Sequence, residues 1–215
     1  MTTLDRRSLL WAMMLSFLAG YVDSLGFLEL GGYFVSFMSG NTTRLGISIG
    51  DAEWRPAAVV AGFIALFVSG VVLGSLIASK AETHRRSIIL FLIVVLLSLS
   101  AVLYEFQLLR FGTITMLLAM GAENTILRRD GVSIGLTYMT GNLVKLGHAV
   151  ADRLRGIRHG NDILKYAGLW LALALGAAMG SILHRQVQMQ ALWLAVALAL
   201  GLGGFALKQR EAVGE

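Results

Sequence analysis

Long runs without charged residues dominate the pattern of the chain, and short basic connections separate them. No Asp, Glu, Lys or Arg occurs at 56–79, 87–104, 166–184 or 186–207. Each run has 18 residues or more, and about 20 apolar residues in a helix cross the hydrocarbon core of a bilayer. The pattern therefore predicts an all-α, polytopic membrane protein.

About six transmembrane helices are predicted, and two further segments lie between them. The predicted helices cover about 8–28, 56–79, 87–106, 109–127, 166–184 and 188–207. The segments at about 33–50 and 132–151 each hold a polar motif. They either cross the membrane, which gives eight spans, or enter it and return as re-entrant or broken helices, which gives six.

Two sequence motifs occur twice in the chain. The sequence SGNTTRLG at 39–46 recurs as TGNLVKLG at 140–147, an offset of 101 residues. The sequence GVVLGS at 70–75 recurs as GAAMGS at 176–181, an offset of 106 residues. Repetition of this kind indicates a duplicated structural unit.

We interpret residues 1–215 as one transmembrane domain of two repeats, at about 8–106 and 109–207. Cytoplasmic loops of membrane proteins are enriched in Lys and Arg. Six spans with a cytoplasmic N-terminus satisfy this rule better than eight, because few basic residues then lie outside: Arg55, Arg110 and Arg185. An odd number of spans per repeat gives the two repeats opposite orientations, an arrangement that many secondary transporters share.

Both termini are predicted to lie in the cytoplasm. Arg6 and Arg7 precede the first apolar run, as they do in twin-arginine and secretory signals. No soluble domain follows this run, so we interpret it as an uncleaved first span.

Composition excludes several classes of protein. The chain is 56% hydrophobic and 14% charged, carries a net charge of +5 and has no cysteine. Its basic residues lie in short loops between apolar helices, which argues against nucleic-acid binding. The absence of cysteine excludes disulfides and thiolate metal sites. No phosphate-binding glycine loop, HExxH sequence or catalytic carboxylate pair is present, so no catalytic residue, metal or cofactor is predicted and the chain is not expected to be an enzyme.

The repeated polar motifs are the candidate binding site. Ser, Thr and Asn are preferred N-cap residues, so a short helix is predicted to begin near each motif. Two inverted half-helices would direct their positive N-terminal ends at a common point, where an anion or electron-rich group is favoured. The candidate residues are Ser39, Gly40, Asn41, Thr42 and Arg44 in the first motif, and Thr140, Gly141, Asn142 and Lys145 in the second. Alternatively, both motifs only pack helices together.

Two acidic residues lie within predicted spans. Asp23 follows a long uncharged stretch in the first span, and Glu123 lies near the end of the fourth. Ionisable groups inside the membrane are costly and often functional, so both are candidates for proton coupling. Alternatively, Asp23 lies at the hydrated outer interface and Glu123 at the cytoplasmic one, beside Arg128.

The motifs resemble those of the YoaK family of bacterial inner-membrane proteins, a domain of unknown function. The resemblance rests on GYVDSLGF at 20–27, FVSFMSGNTTRLG at 34–46 and TYMTGN at 137–142, and it extends over nearly the whole chain. It implies a small multi-span membrane protein and carries no biochemical activity with it.

Two functions are compatible with the sequence. The first is a transporter or channel for a small polar or anionic solute, in which the motifs line the pathway. The alternative is a non-transporting scaffold or regulatory protein of the membrane, in which they only pack helices. In both cases the lipid bilayer is a partner. Six spans form a thin wall for a transport path, which favours a homodimer.

Overall fold

Helices account for nearly all of the structure. The computed structural model describes residues 6–79, 84–126, 128–129, 132–133, 139–157 and 161–211. The helices are α1 (Arg6–Glu29), α2 (Met38–Gly50), α3 (Trp54–Ser79), α4 (Arg85–Glu105), α5 (Leu109–Glu123), α6 (Met139–Leu154), α7 (Asp162–Val187) and α8 (Leu192–Glu211). A two-residue antiparallel pair, β1 (Arg128–Arg129) and β2 (Val132–Ser133), follows α5. The predicted all-α fold class is confirmed, apart from this short pair.

Four helical stretches in the described part of the chain are long and apolar enough to cross a membrane. They are Leu9–Glu29, Trp54–Ser79, Arg85–Glu105 and Asp162–Ala206. The last stretch contains both α7 and α8. A short 3₁₀ helix joins them, and the backbone turns where it begins, at Gln188, with φ 51° and ψ −136°.

The fifth helix is shorter than the sequence predicts. The predicted span was 109–127, whereas α5 ends at Glu123 and has 15 residues. At 1.5 Å per residue this helix is about 22 Å long, less than the thickness of the hydrocarbon core. Asn124 follows it as the C-terminal cap, and a polar cap of this kind ends a helix where an apolar count alone would extend it.

Two pairs of parallel helices form the centre of the molecule. Helix α1 packs along α7, and α3 packs along α5. In the first pair Met13 lies against Gly168, Phe17 against Gly176 and Ser24 against Gly180, so residue numbers rise together in both helices. In the second pair Gly70 lies against Leu118 and Gly74 against Thr125, again a parallel arrangement.

The glycine contacts of these two pairs correspond through the sequence offsets. A Cβ at Gly20 would meet the Leu173 carbonyl, and one at Gly121 would meet the Phe67 carbonyl. Gly121 lies 101 residues after Gly20, and Leu173 lies 106 residues after Phe67. Close approach of two helix backbones requires a residue without a side chain, as in small-xxx-small packing of membrane helices. The motif at 70–75 and its copy at 176–181 are therefore contact surfaces between helices.

The remaining helices run antiparallel to their neighbours. Trp11 of α1 packs against Phe205 of α8 with ring centroids 5.5 Å apart, and the Tyr21 hydroxyl donates to the Ala191 carbonyl at 2.8 Å. The first residues of α8 lie beside the last of α4, where Trp193 Nε1 donates to Glu105 Oε1 at 2.8 Å. Helices α4 and α5 form a hairpin. Consequently α1, α4 and α7 share one direction and α3, α5 and α8 the other.

The two motif helices lie at the periphery. Helix α2 packs on α3, and α6 packs on α7. Large apolar side chains on both helices are exposed on the surface of the protein: Ile47, Ile49, Leu143, Val144 and Val150. The fully buried core belongs instead mainly to α1, α4 and α5.

Candidate functional site

A cavity of about 600 Å³ lies between α1, α7, the first turn of α6 and the loop that precedes α2. Residues of both repeats contribute to this cavity. Its polar lining residues are Asp23, Ser24, Ser36, Thr140 and Ser181, and its large apolar ones are Phe27, Leu28, Phe34, Phe37, Met139, Leu143 and Leu173.

Asp23 holds the loop beside α1 in place. Its Oδ1 accepts hydrogen bonds from the backbone N–H groups of Val35 at 2.8 Å and Ser36 at 2.7 Å. The chain reaches this position through Gly31 and Gly32, whose φ angles of 65° and 95° reverse its direction after α1, a conformation that glycine adopts without strain. Asp23 therefore lies at the cavity wall and is partly buried.

Three aromatic rings cluster beside Asp23. The ring centroids of Phe27 and Phe34 are 4.8 Å apart, and those of Phe34 and Phe37 are 5.1 Å apart in an edge-to-face arrangement. All three side chains line the cavity. The cavity therefore combines a carboxylate, several hydroxyls and an aromatic wall.

Asn41 of the first motif is a buried structural residue. Its side chain is 0% exposed, its Oδ1 accepts from the Phe34 N–H at 3.0 Å, and its Nδ2 donates to the Phe34 carbonyl at 2.7 Å. These bonds pair the amide with a backbone unit much as a neighbouring β-strand would. Asn41 thereby closes the loop onto α2, and it does not line the cavity.

The neighbours of Asn41 also lie outside the cavity. Ser39 and Thr42 are exposed, and Thr42 Oγ1 donates to the Met38 carbonyl one turn earlier at 2.8 Å. Gly40 packs beneath Phe37 and Phe34, because a Cβ there would lie 2.6 Å from Phe37 Cδ1. Its contribution is to let these rings approach the helix.

The two predicted cations face aromatic rings and not the cavity. The Arg44 guanidinium lies over the Tyr33 ring at 5.2 Å, and Lys145 Nζ lies 5.7 Å from the centre of the Tyr166 ring. Contacts of this kind satisfy a cation near an aromatic face. Neither side chain lines the cavity, so the structure does not place the predicted positive charge there.

The second motif contributes Thr140 to the cavity. Asn142 Nδ2 lies 3.6 Å from Met139 Sδ, which matches the 3.7 Å between Asn41 Nδ2 and Met38 Sδ. Gly141 is half-buried beside them. The preceding residues of this motif, at 134–138, lie outside the described residues.

Glu123 is a fully buried carboxyl near the end of α5. Its side chain is 0% exposed, and neither carboxyl oxygen has a hydrogen-bond partner within the described ranges. Asp23 lines the cavity, whereas Glu123 is not among its described lining residues.

Most of the cavity wall consists of residues that were not predicted from the sequence. Ser36, Phe34 and Phe37 belong to the segment just before the first motif, and Ser181 ends the second copy of the glycine motif. These residues lie next to the repeated motifs in the sequence, and this position could have predicted that they belong to the site. Within the part of the chain that is described, no group of three His, Cys, Asp or Glu residues is arranged to hold a metal ion.

Comparison with known proteins identifies the family. Residues 11–205 match the model of a protein family described as "Protein of unknown function (DUF1275)". The chain is 33% identical over 179 residues to the UPF0700 transmembrane protein RA0705 of Rhizobium meliloti (strain 1021), covering 83% of this chain and 76% of that protein. It is 31% identical over 153 residues to the UPF0700 transmembrane protein YoaK of Bacillus subtilis (strain 168), covering 66% of each.

No solved structure matches the chain significantly. The family match spans nearly the whole helical region, and both relatives carry the name of a transmembrane protein. The apolar helices agree with those names. The chain therefore belongs to the DUF1275 family and is a multi-pass, α-helical membrane protein.

Proposed function

We propose that the protein is a transporter or channel for a small polar solute and that the cavity beside Asp23 is its solute site. One observation carries the proposal: the beginnings of both motif helices border the same cavity. Ser36 and Phe37 precede α2, and Met139 and Thr140 begin α6. A polar site between two broken segments at a repeat interface is the usual place for a solute in secondary transporters.

Helix directions support six crossings. Helices α1 and α3 run in opposite directions, so the segment that holds α2 starts and ends on one side of the membrane. Helices α5 and α7 also run in opposite directions, so the segment that holds α6 starts and ends on the other side of the membrane. In this arrangement α2 and α6 are re-entrant, and the two repeats are inverted.

The proposed orientation places both termini in the cytoplasm of a bacterial cell. Helices α1 and α8 are antiparallel, so the first and last residues lie on the same side. Arg55, Arg110 and Arg185 begin or end helices on the opposite side, and most other Lys and Arg residues lie with the termini. This distribution follows the positive-inside rule.

Asp23 and Glu123 are the proposed proton-coupling residues. A buried carboxylate without partners is costly, and taking up a proton removes that cost. Opening of the cavity toward either side would hydrate Asp23, which lines it, and would favour release of the proton. One carboxyl at the cavity and a second one buried in α5 therefore provide a physical link between proton binding and the conformation of the cavity.

A non-transporting scaffold is the second candidate function, and the first motif favours it. Asn41 bonds only within the protein, and Thr42 bonds to its own helix. These contacts pack the segment, as the alternative interpretation of the motif expects. The cavity and its carboxylate have no role in a scaffold, and so they discriminate between the two functions.

Thiol labelling tests whether the cavity contains water. The natural chain has no cysteine, so Thr140→Cys and Ser181→Cys each introduce one thiol at the cavity wall. Ser69→Cys is the control. Ser69 lies on the surface of α3, away from the cavity, and this surface lies within a proposed membrane crossing, where no water is present. A thiol reacts as its thiolate, which requires water. We expect a polar maleimide to label the first two variants and not the third. Labelling of none of them in a folded protein would favour the scaffold.

A further inference from the structure

We propose that the cavity binds an organic cation, specifically a protonated amine that carries an apolar or aromatic group. This inference rests on the proposed function, because it names the solute class of the same site. It replaces the anionic solute that the motifs suggest with one of opposite charge.

The charge of the residues that line the cavity favours a cationic solute. Among the described residues that line the cavity, Asp23 is the one with a charged side chain, and the remaining polar ones are hydroxyls. Arg44 and Lys145, which would attract an anion, are engaged with Tyr33 and Tyr166. An anion entering the cavity would therefore meet a carboxylate, and no cation among the described lining residues would compensate it, whereas an ammonium group would be attracted to it.

The fold does not require the charge of Asp23. Its two bonds to the loop need an acceptor oxygen, which an amide also provides. The equivalent position of the second repeat holds Asn124, 101 residues later, where an amide occupies the end of α5. Because the amide serves at the end of α5, the negative charge of Asp23 is assigned to the cavity that Asp23 lines and not to the helix end as such.

The aromatic wall matches the rest of such a solute. Phe27, Phe34 and Phe37 surround one side of the cavity. The faces of aromatic rings attract cations, by about 0.5–2 kcal/mol per contact depending on hydration, and they also pack against apolar groups. The volume of about 600 Å³ accommodates a molecule of the size of an arylalkylamine.

Protection of a cavity thiol provides the test. The rate at which a polar maleimide labels Thr140→Cys is measured with three probes of similar shape and different charge: phenethylamine, phenethyl alcohol and hydrocinnamate. At neutral pH these are a cation, a neutral molecule and an anion. We expect phenethylamine to slow labelling at least about tenfold at saturation (~1.4 kcal/mol), the alcohol to slow it less and hydrocinnamate to leave it unchanged.

Asp23→Asn separates charge from structure. In combination with Thr140→Cys, it should keep the thiol reactive and abolish the effect of phenethylamine. Asp51→Asn is the control, because Asp51 is an exposed carboxylate at the end of α2 and should leave protection unchanged.

Four results would overturn the inference. Protection by hydrocinnamate equal to that by phenethylamine would contradict it even if Asp23→Asn does not fold, because the probe series uses Thr140→Cys alone. Protection by the amine that persists in Asp23→Asn would also contradict it. Labelling without protection by the amine rejects the organic cation and retains the water-filled cavity, whereas absence of labelling rejects the proposed function as well.

Discussion

At the scale of single residues, Asn41 is the polar side chain on which the first motif depends most. Both ends of its amide bond to Phe34, and the residue is fully buried. Removing one partner of a buried hydrogen bond leaves the other unsatisfied, which costs about 1–3 kcal/mol. The local structure of the loop at the cavity therefore depends on a side chain that does not touch the cavity.

Asn41→Ala is expected to lower the free energy of unfolding by about 2 kcal/mol or more, because two backbone groups of Phe34 lose their partners. Thermal unfolding of the purified protein in detergent measures this loss. Thr42→Ala is the matched control, since Thr42 is exposed and its hydroxyl bonds only to the preceding turn. Equal effects of the two substitutions would contradict the role assigned to Asn41.

Glu123 is the residue whose burial the fold does not compensate. Replacing a buried, unpaired polar group with an apolar one of similar shape is neutral or stabilising. We expect Glu123→Met to leave the melting temperature unchanged or to raise it, and to abolish any proton movement coupled to solute. The control is Glu53→Met at an exposed loop position. A marked loss of stability in Glu123→Met alone would mean that the carboxyl has a structural partner.

At the scale of helices, the duplicated glycines set the distance between the parallel pairs. A Cβ at Gly176 would overlap the Phe17 carbonyl, whereas nothing lies within 4 Å of one at Gly62. Both residues lie in helices, so an alanine adds the same methyl group at each position. The added methyl group would clash at Gly176 and would not clash at Gly62.

Gly176→Ala should destabilise the protein by about 1–3 kcal/mol through overpacking. Gly62→Ala should leave stability unchanged or raise it by up to about 1 kcal/mol through helix propensity. The fraction of monodisperse protein after heating and gel filtration reports both effects. If Gly176→Ala were as stable as Gly62→Ala, the close contact between α1 and α7 would be refuted.

Much of this level of structure is predictable from the sequence. Helices occupy all six predicted spans, because long apolar runs have few alternatives in a membrane. The GVVLGS and GAAMGS motifs were expected to pack helices, and Gly70 and Gly176 do so. The predicted end of α5 was wrong, because a hydropathy pattern does not identify a polar capping residue such as Asn124.

The candidate site was less predictable than the helices. Asp23 and Thr140, two of the candidate residues, both line the cavity, but the side chains of Asn41, Arg44 and Lys145 do not. Sequence spacing gives the position of a residue along a helix and not the ring or carbonyl that its side chain meets. The aromatic wall of Phe27, Phe34 and Phe37 depends on a loop reversal at Gly31 and Gly32 that apolar counting does not describe.

At the scale of the whole molecule, the directions of the helices determine the topology. Trp11 and Phe205 bring the start of α1 and the end of α8 to one side. A reporter that is active only in the cytoplasm should therefore be active when fused to either terminus. Fusion after Glu53, in the connection between α2 and α3, provides the control and should be inactive. Activity at one terminus alone would contradict the six-span arrangement.

The central claim is that the cavity serves transport, which requires access from both sides of the membrane in turn. Thr140→Cys can be labelled with an impermeant thiol reagent in right-side-out and in inverted vesicles of the same preparation. The transporter account predicts labelling in both, because the cavity opens alternately to each side. Labelling in neither preparation, with the protein folded and Ser181→Cys equally unreactive, would contradict it and identify the cavity as a closed packing defect.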